Sequence, residues 1–433
     1  MLAYYLGLAL HSLKQNRVLT ALMVLAMGLG IGASMTTLTV FHLLSGDPLP
    51  GRSGQLFYPQ LDPTPTAAAV LPGNMNYIDA VNLWQAKRAD RQAIMVGGNI
   101  KTKAAQTGAR PMSLHTLATT ADFFPMFGVR FTQGNAWTPA DDLAKARVAV
   151  ISRSASNRLF HGESGLGQNI RLGQWDFRVV GVIDDWRPTP HFYELDRESY
   201  GGGDEVFIPF LTSRDLAKLG VTGYSLNCYG NTTDDLHLEN QPCLWLSFWV
   251  ELDNSAKAQA YRQFLDNYAR EQQVLGRYAQ AGPPRTALPD VMQWLDQNGV
   301  VPSDVSLKTW IALGFLLVCL MNTTGLLLVK FLRRTTEISV RRALGASRQQ
   351  IFMQCLVEAV IVGMAGGALG LLLALAGLWG IRHTPADYAD LAHLDLPMFA
   401  ATFVISLAVS LVAGLLPAWR ACHIAPALQL KVI

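Results

Sequence analysis

Charge is scarce in this chain. Asp, Glu, Lys and Arg make up only 15% of its 433 residues, against a hydrophobic share of 50% and a mean hydropathy of +0.21. Soluble domains carry about 25% charged residues, so the deficit points to an integral membrane protein. The cation surplus is a formal +3, and no long Lys/Arg tract lies outside the segments that flank apolar runs. Nucleic acid is therefore not an expected partner.

Catalytic patterns are missing as well. Without a G-x-x-x-x-G-K-[ST] loop the 433 residues carry no ATPase site of that type, and the lack of HExxH, CxxC and GxSxG removes the commonest zinc-peptidase, thioredoxin-like and hydrolase readings. The nine histidines are scattered, and His191 and His237 read as surface or turn residues rather than metal ligands. No catalytic, cofactor-binding or metal-binding residue is assigned. Cysteine is sparse too: of five, only Cys228 and Cys243 lie between the first two apolar runs, at the ends of NCYGNTTDDLHLENQPC. A disulfide between them is the preferred reading, with two free thiols as the alternative. In an oxidising compartment it would close a loop of about 15 residues, worth on the order of 3 kcal/mol. Cys319, Cys355 and Cys422 are expected to be reduced.

What is present is four apolar stretches long enough to cross a bilayer, which takes about 20 helical residues: Val18 to Leu44, Thr309 to Leu332, Leu356 to Ile381 and Pro397 to Leu416. The first is too long for the roughly 7–15-residue apolar region of a cleaved signal. Lys14 and Arg17 precede it, and Lys330, Arg333, Arg334, Arg341, Arg342 and Arg348 crowd the second connection. The third connection is acidic, with Asp387, Asp390 and Asp395 against Arg382, and Arg420 and Lys431 follow the last run. Cations collect in short cytoplasmic loops, so both termini and the 333–355 connection are expected inside, with 382–396 outside. The membrane is the inner one in this reading, with a periplasm beyond it.

The 45–307 stretch has ordinary soluble composition and is expected to be a large periplasmic α+β domain. Val148 to Ser154, Phe177 to Asp184 and Val206 to Phe210 read as short buried strands. Leu244 to Leu252 alternates like a half-buried strand, and the helix after it places Ala258, Tyr261, Phe264, Leu265 and Tyr268 on one face. Tyr77 to Lys87 reads as a helix belonging with that unit, and residues from about 116 to 210 as a mostly β subdomain inserted in an α+β subdomain. Gly201, Gly202 and Gly203 mark a mobile connection.

The spans themselves lack charge at mid-depth, which argues against an ion or proton pathway. Four spans also leave no room for the inverted repeats of secondary transporters. Glu358 enters the third span near its start, where pairing with Arg341, Arg342 or Arg348, or capping of the helix, would accommodate it. Asn322 suggests a hydrogen bond between helices. Gly28, Gly30 and Gly32 sit inside an apolar helix, so close packing explains them better than a dinucleotide loop; Gly363, Gly366, Gly367 and Gly370 repeat the pattern, against a helix of this chain or of a second one.

EISVRRALGASRQQIFMQCLVEAVIVGMAGGALGLLLA resembles the signature of the FtsX-type permease domain of MacB-like ABC transporters, in which E-I-x-x-R-R-A-L-G-A opens the third helix and a Glu-Ala pair, here Glu358-Ala359, follows. TADFFPMFGVRF, GNAWTPADD, VAVIS, LFHGESGLGQNIRL, FRVVGVIDD and VFIPF resemble, in order, the MacB-like periplasmic core domain, and PAWRACHIAPALQL resembles the family's ending. Gly134-Asn135 departs from a frequent Gly-Arg, and the Cys228–Cys243 loop matches no family pattern. MLAYYLGLALHSLKQNR stands where the macrolide exporter of the family carries a fused ATPase; its Leu2, Leu6, Leu10 and Leu13 suggest an amphipathic helix over residues 1–17.

The resemblance implies an α-helical membrane protein with four transmembrane helices and a large α+β periplasmic domain between helices 1 and 2. It implies a permease subunit, not itself an enzyme, with ATP and magnesium bound by a separate ABC ATPase and none held in this chain. Two permease chains, identical or homologous, would pair and pass ATP-driven closure to the periplasm without a polar pore. Export with a periplasmic adaptor and an outer-membrane channel is the first expectation. Lipoprotein release of the LolC and LolE type is the alternative, and a sensor or scaffold that transports nothing a third. The coupling contact is expected on Glu337, Ile338, Arg341, Arg342, Ala343, Leu344, Gly345, Ala346, Ser347 and Arg348, with Gly345 and Ala346 where a bulkier side chain would collide with the ATPase. Helix packing is assigned to Gly28, Gly32, Gly363, Gly367 and Gly370.

Overall fold

The computed structural model describes residues 7, 12, 16–65, 70–104, 111–197, 199–216, 219, 221–232, 237–278, 282–385 and 388–423. The amphipathic helix expected over 1–17 and the end of the tail lie outside them, apart from single residues. Two compact units emerge: residues 1–45 with 301–433, and residues 46–300.

The elements, in order, are α1 (Arg17–Ser45), β1 (Leu56–Phe57), β2 (Gln60–Leu61), α2 (Tyr77–Ala86), β3 (Arg91–Ala104), β4 (Met112–Thr119), α3 (Phe123–Phe127), β5 (Phe131–Gly134), α4 (Pro139–Leu143), β6 (Val148–Ser152), α5 (Arg153–Phe160), β7 (Asn169–Leu172), β8 (Trp175–Ile183), β9 (Val206–Pro209), α6 (Phe210–Asp215) and β10 (Asn227–Cys228). There follow β11 (Cys243–Leu244), β12 (Ser247–Glu251), α7 (Ser255–Val274), β13 (Thr286–Ala287), α8 (Val291–Gln297), α9 (Ser303–Leu332), α10 (Thr335–Ala343), α11 (Arg348–Ile381) and α12 (Leu396–Cys422).

In the 46–300 unit one sheet runs β1-β12-β3-β4-β9-β6-β8-β5, and β7 pairs with both β3 and β8. The strands β3, β4, β9, β6, β8 and β7 thus form a closed hydrogen-bonded circuit. The stretch from about 116 to 210 supplies β5 to β9 and half of β4, yet it joins the rest through β3. The first residues of that 14-residue strand pair with β12 and its last three with β7, so the two subdomains share one strand. Gly97 and Gly98, in the middle of β3, let other chain segments come close: a Cβ on Gly97 would meet the Glu194 carboxylate, and one on Gly98 would stand 2.8 Å from the Thr222 carbonyl.

Strand β12 is buried at every position rather than half-buried. Phe248 and Val250 face the main apolar core with Tyr261 and Leu265 of α7, while Trp249 packs against Tyr58, Phe127 and Phe192. Helix α7 is capped by Asn254, whose side chain accepts from the Lys257 amide, and buries Ala258, Tyr261, Leu265 and Tyr268. Helix α2 is tied to it as its sequence suggested: the buried Asp79 carboxylate accepts from the hydroxyls of Tyr268 (2.7 Å) and Tyr278 (2.8 Å) and from Arg277 (2.8 Å).

One local expectation needs correcting. His191 is neither on the surface nor in an exposed turn; it is buried, with Nε2 3.7 Å from Asp204. It belongs to a polar core in which Arg197 donates to Asp204 (3.0 Å) and Tyr193 does likewise (2.7 Å). In the glycine-rich connection, the Arg187 guanidinium donates to the carbonyls of Gly201 (2.7 Å) and Tyr200 (2.6 Å). Burial opposes ionisation of Asp204, but His191, Arg197 and the Tyr193 hydroxyl outweigh it and hold its carboxyl well below the usual range. Burial and the Asp204 charge push Glu194 up. Cys228 and Cys243 face each other across β10 and β11 and are joined by a disulfide.

In the other unit α1, α9, α11 and α12 are each long and apolar enough to cross a membrane. They pack through the small residues. A Cβ on Gly28 would stand 2.8 Å from Leu369, one on Gly32 2.8 Å from Leu373, and one on Gly370 2.9 Å from Ile31, so α1 lies directly on α11. Gly363 and Gly367 give the same closeness to Ser410 and Ser406 of α12. The glycines therefore serve packing within this chain.

Candidate coupling site

The cationic connection between the second and third spanning helices is a fixed element built by local rules. Helix α10 ends in a Schellman motif: the Ala346 amide donates to the Arg341 carbonyl (3.0 Å) and the Gly345 amide to that of Arg342 (3.1 Å). Gly345 has φ +101°, a conformation that costs glycine little and side-chain-bearing residues much. Two residues later Ser347 starts α11 with a capping box, its hydroxyl accepting from the Gln350 amide while the Gln350 side chain accepts from the Ser347 amide. Ala-Leu-Gly-Ala-Ser is thus a stop signal and a start signal back to back. A Cβ on Gly345 would meet nothing within 4 Å in this chain, so within the chain it is the turn that calls for glycine.

The element presents apolar and cationic groups together. Val340 is 49% exposed and Leu344 83%, with Ala343, Gly345, Ser347 and Arg348 also exposed. Arg341 is anchored on the helix side, donating to Glu337 (2.7 Å) and to Gln354 of α11 (3.0 Å). Arg342 and Ala346 are half-buried, and Ile338 packs on the helical core. The expected site residues therefore divide between those that hold the element in place and those that face outward.

Beneath this element lies a buried ion cluster that differs from the sequence expectation. Glu358, 2% exposed, pairs with Lys330 of α9 and, at 3.8 Å, with Arg334, not with Arg341, Arg342 or Arg348, and it does not cap the helix. It lies more than two turns inside α11, on the face turned toward the end of α9. Ser12 completes the cluster: its hydroxyl donates to Glu358 and accepts from Arg334. Lys330 had been read as a flanking anchor, yet its side chain is fully buried. Nothing in the local sequence marks Ser12 as the neighbour of Glu358, because the contact spans 346 residues.

The MacB-like periplasmic core domain model matches residues 20–268, and the FtsX-like permease C-terminal model matches residues 310–426. The chain belongs to the MacB-like ABC transporter permeases. Among curated proteins this permease is 24% identical over 447 residues to a macrolide export ATP-binding/permease protein MacB of Sodalis glossinidius, covering 97% of the chain and 59% of that protein. The MacB of Marinobacter nauticus is 26% identical, with 68% of this chain and 39% of the relative covered. An uncharacterised permease of Bacillus subtilis, YvrN, is 23% identical over 70% of this chain and 67% of its own length. The chain thus spans about two fifths to three fifths of the length of the two MacB proteins. The crystal structure of the periplasmic region of MacB from Actinobacillus actinomycetemcomitans is similar with a TM-score of 0.37 at 13% identity, covering 56% of this chain and 92% of that one. Four apolar helices, with the MacB-like periplasmic core domain between the first and second along the chain, make this permease a multi-pass inner-membrane protein.

Proposed function

We propose that this chain is the membrane subunit through which a separate ABC ATPase, docked on 335–348 at the cytoplasmic face, drives motion of the periplasmic domain, with export of a periplasmic or envelope substrate as the outcome. The observation that carries the reading is the exposed Val340–Leu344 surface on an element fixed by a Schellman motif, a capping box and the Arg341–Gln354 bond. Val340 and Leu344, one helical turn apart, expose a joint apolar patch beside cations, and such patches mark interaction sites. Coupling also requires that the docking element move as a body with the helices, and the Lys330–Glu358–Arg334 cluster ties it to α9 and α11. A second permease chain, an adaptor and an outer-membrane channel complete the machine in this proposal. ATP and magnesium belong to the ATPase.

The test is a Leu344→Asp chain co-expressed with its ATPase. Burying a leucine contributes about 1.5–3 kcal/mol, so losing it is expected to weaken ATPase retention by about tenfold or more. Unlike any substitution at Gly345, this one leaves the backbone unstrained. A Leu344→Asp chain that co-purifies with its ATPase and sustains full ATP hydrolysis in the complex would remove the docking assignment.

A further inference from the structure

Gln92, the second residue of β3, is 4% exposed. Its Nε2 donates to the Trp84 carbonyl, a group that can only accept, so the orientation of the amide is fixed and Oε1 is the end left over. No donor reaches Oε1 among the described residues. A buried polar atom without a partner is uncommon and costly, and so points to a group that would complete it. Gln92 lines a cavity of about 350 Å³. One side of the cavity comes from the end of α2 and the start of β3, the other from the 120–143 stretch, so it lies where the two subdomains meet. Ligand sites favour such boundaries.

Two carboxylates on the same cavity lack a counter-charge. Asp142 is buried with one oxygen on the Ala121 amide and the other on the Trp137 indole, and Asp122, half-buried, accepts from the Gln92 amide at 3.3 Å. Neither is paired with a Lys, Arg or His among the described residues, whereas Asp90, also on the cavity, is taken up by Lys257. Burial, with the Asp122 charge added to it, pushes the Asp142 carboxyl up. The cavity therefore calls for a cation that also donates hydrogen bonds. A metal ion does not fit, because no three of His, Cys, Asp and Glu gather to hold one among the described residues. The rest of the lining is apolar, with Trp84 half-buried and Leu143 66% exposed.

We propose that this cavity binds a primary ammonium attached to an apolar group, the ammonium on Gln92 Oε1, Asp122 and Asp142 and the apolar group on Trp84 and Leu143. The count of donors decides the ligand class. A primary ammonium has three N–H groups for three acceptors, and a carboxylate whose oxygens each accept one bond still has lone pairs to offer. A quaternary ammonium has the charge and no donor. An arylalkyl amine and the N-terminus of a peptide that begins with an apolar residue share this chemistry. Either would touch both subdomains at once.

The experiment is isothermal calorimetry at neutral pH on the full chain in lipid nanodiscs, with the heat of empty discs subtracted. The probes are 2-phenylethylamine and the dipeptide amide Phe-Gly-NH2. Saturable binding is expected for at least one of them, and whichever binds tells a free amine from a peptide terminus. Against 2-phenylethylamine, phenylethanol and the trimethylammonium analogue are expected to bind at least about tenfold more weakly, since one lacks the charge and the other the N–H donors. If the peptide alone binds, its N-acetyl and N-trimethyl forms make the same comparison. Asp122→Asn should weaken the bound probe by about tenfold or more, while Asp185→Asn, an exposed carboxylate elsewhere in the 46–300 unit, should change nothing. Three results overturn the site: no saturable heat with either probe, a trimethylammonium analogue that binds as tightly as the primary amine, or an Asp122→Asn chain that binds as tightly as the parent. The ligand series needs no variant, so a variant that fails to fold leaves the test intact. ATPase retention by Leu344→Asp is a separate measurement, and either reading can fail while the other stands.

Discussion

Asp142 is 1% exposed, and its two oxygens accept from the Ala121 amide (2.7 Å) and the Trp137 indole (2.8 Å). Burial nevertheless dominates and pushes its carboxyl up from 3.8 to about 6. A carboxyl raised on folding contributes stability that is full below the unfolded value and is lost as pH rises through the folded one. Relative to Asp142→Asn, the parent is therefore expected to gain about 1 kcal/mol between pH 7 and pH 5, read as the difference between the two thermal unfolding curves in detergent. A difference independent of pH would show that Asp142 ionises normally. The sequence offered Asp142 only as the last residue of GNAWTPADD; that it points inward toward Trp137 is a tertiary fact.

Among the elements, the ion cluster at the foot of α9 and α11 gives the sharpest expectation. Removing one partner of a buried pair strands the other charge and typically costs about 3–5 kcal/mol, while replacing both with apolar groups is often neutral. Glu358→Ala should therefore lower the thermal midpoint and the yield of folded chain strongly, and Lys330→Met with Glu358→Leu should recover much of the loss. Equal behaviour of the single and double variants would show that the pair is not coupled. The β10–β11 pair makes a second expectation: Cys228→Ser with Cys243→Ser opens a loop closed by a disulfide over 15 residues of separation and should cost about 3 kcal/mol of stability. Coincident denaturation curves for parent and variant would deny the cross-link that role.

At the scale of the whole molecule the orientation is open to direct measurement. Cys319, Cys355 and Cys422 are buried and Cys228 is bonded to Cys243, so the native cysteines make a quiet background for labelling. In intact spheroplasts an impermeant maleimide is expected to reach Glu163→Cys in the 46–300 unit and to miss Gln349→Cys at the start of α11, both exposed positions. Labelling of Gln349→Cys with Glu163→Cys silent would invert the topology drawn from the Lys and Arg distribution.

The sequence by itself determined the four spans, because about 20 apolar residues can satisfy their backbone in a bilayer only as helix. The helix-to-helix turn at Ala343–Ser347 is also set locally, by Gly after a helix and Ser three residues before Gln, although the motif was expected to open the third helix without a break. The strands at Val148–Ser152, Trp175–Ile183 and Val206–Pro209 were legible for the same reason: they are short apolar runs between turns. The long strand β3 was not, because its Gly97-Gly98 looks like a break until Glu194 and Thr222 are seen to fill the space that side chains would take. Only the tertiary structure decided that β12 is covered on both faces, that His191 is buried beside Asp204, and that Glu358 meets Lys330 and Ser12 rather than the nearer arginines. Each of these depends on which segments meet in the folded chain, and no local periodicity encodes that. Asn322 shows the same division: its place at mid-membrane was written in the run around it, and the direction it faces was set by how α9 packs on α1 and α12.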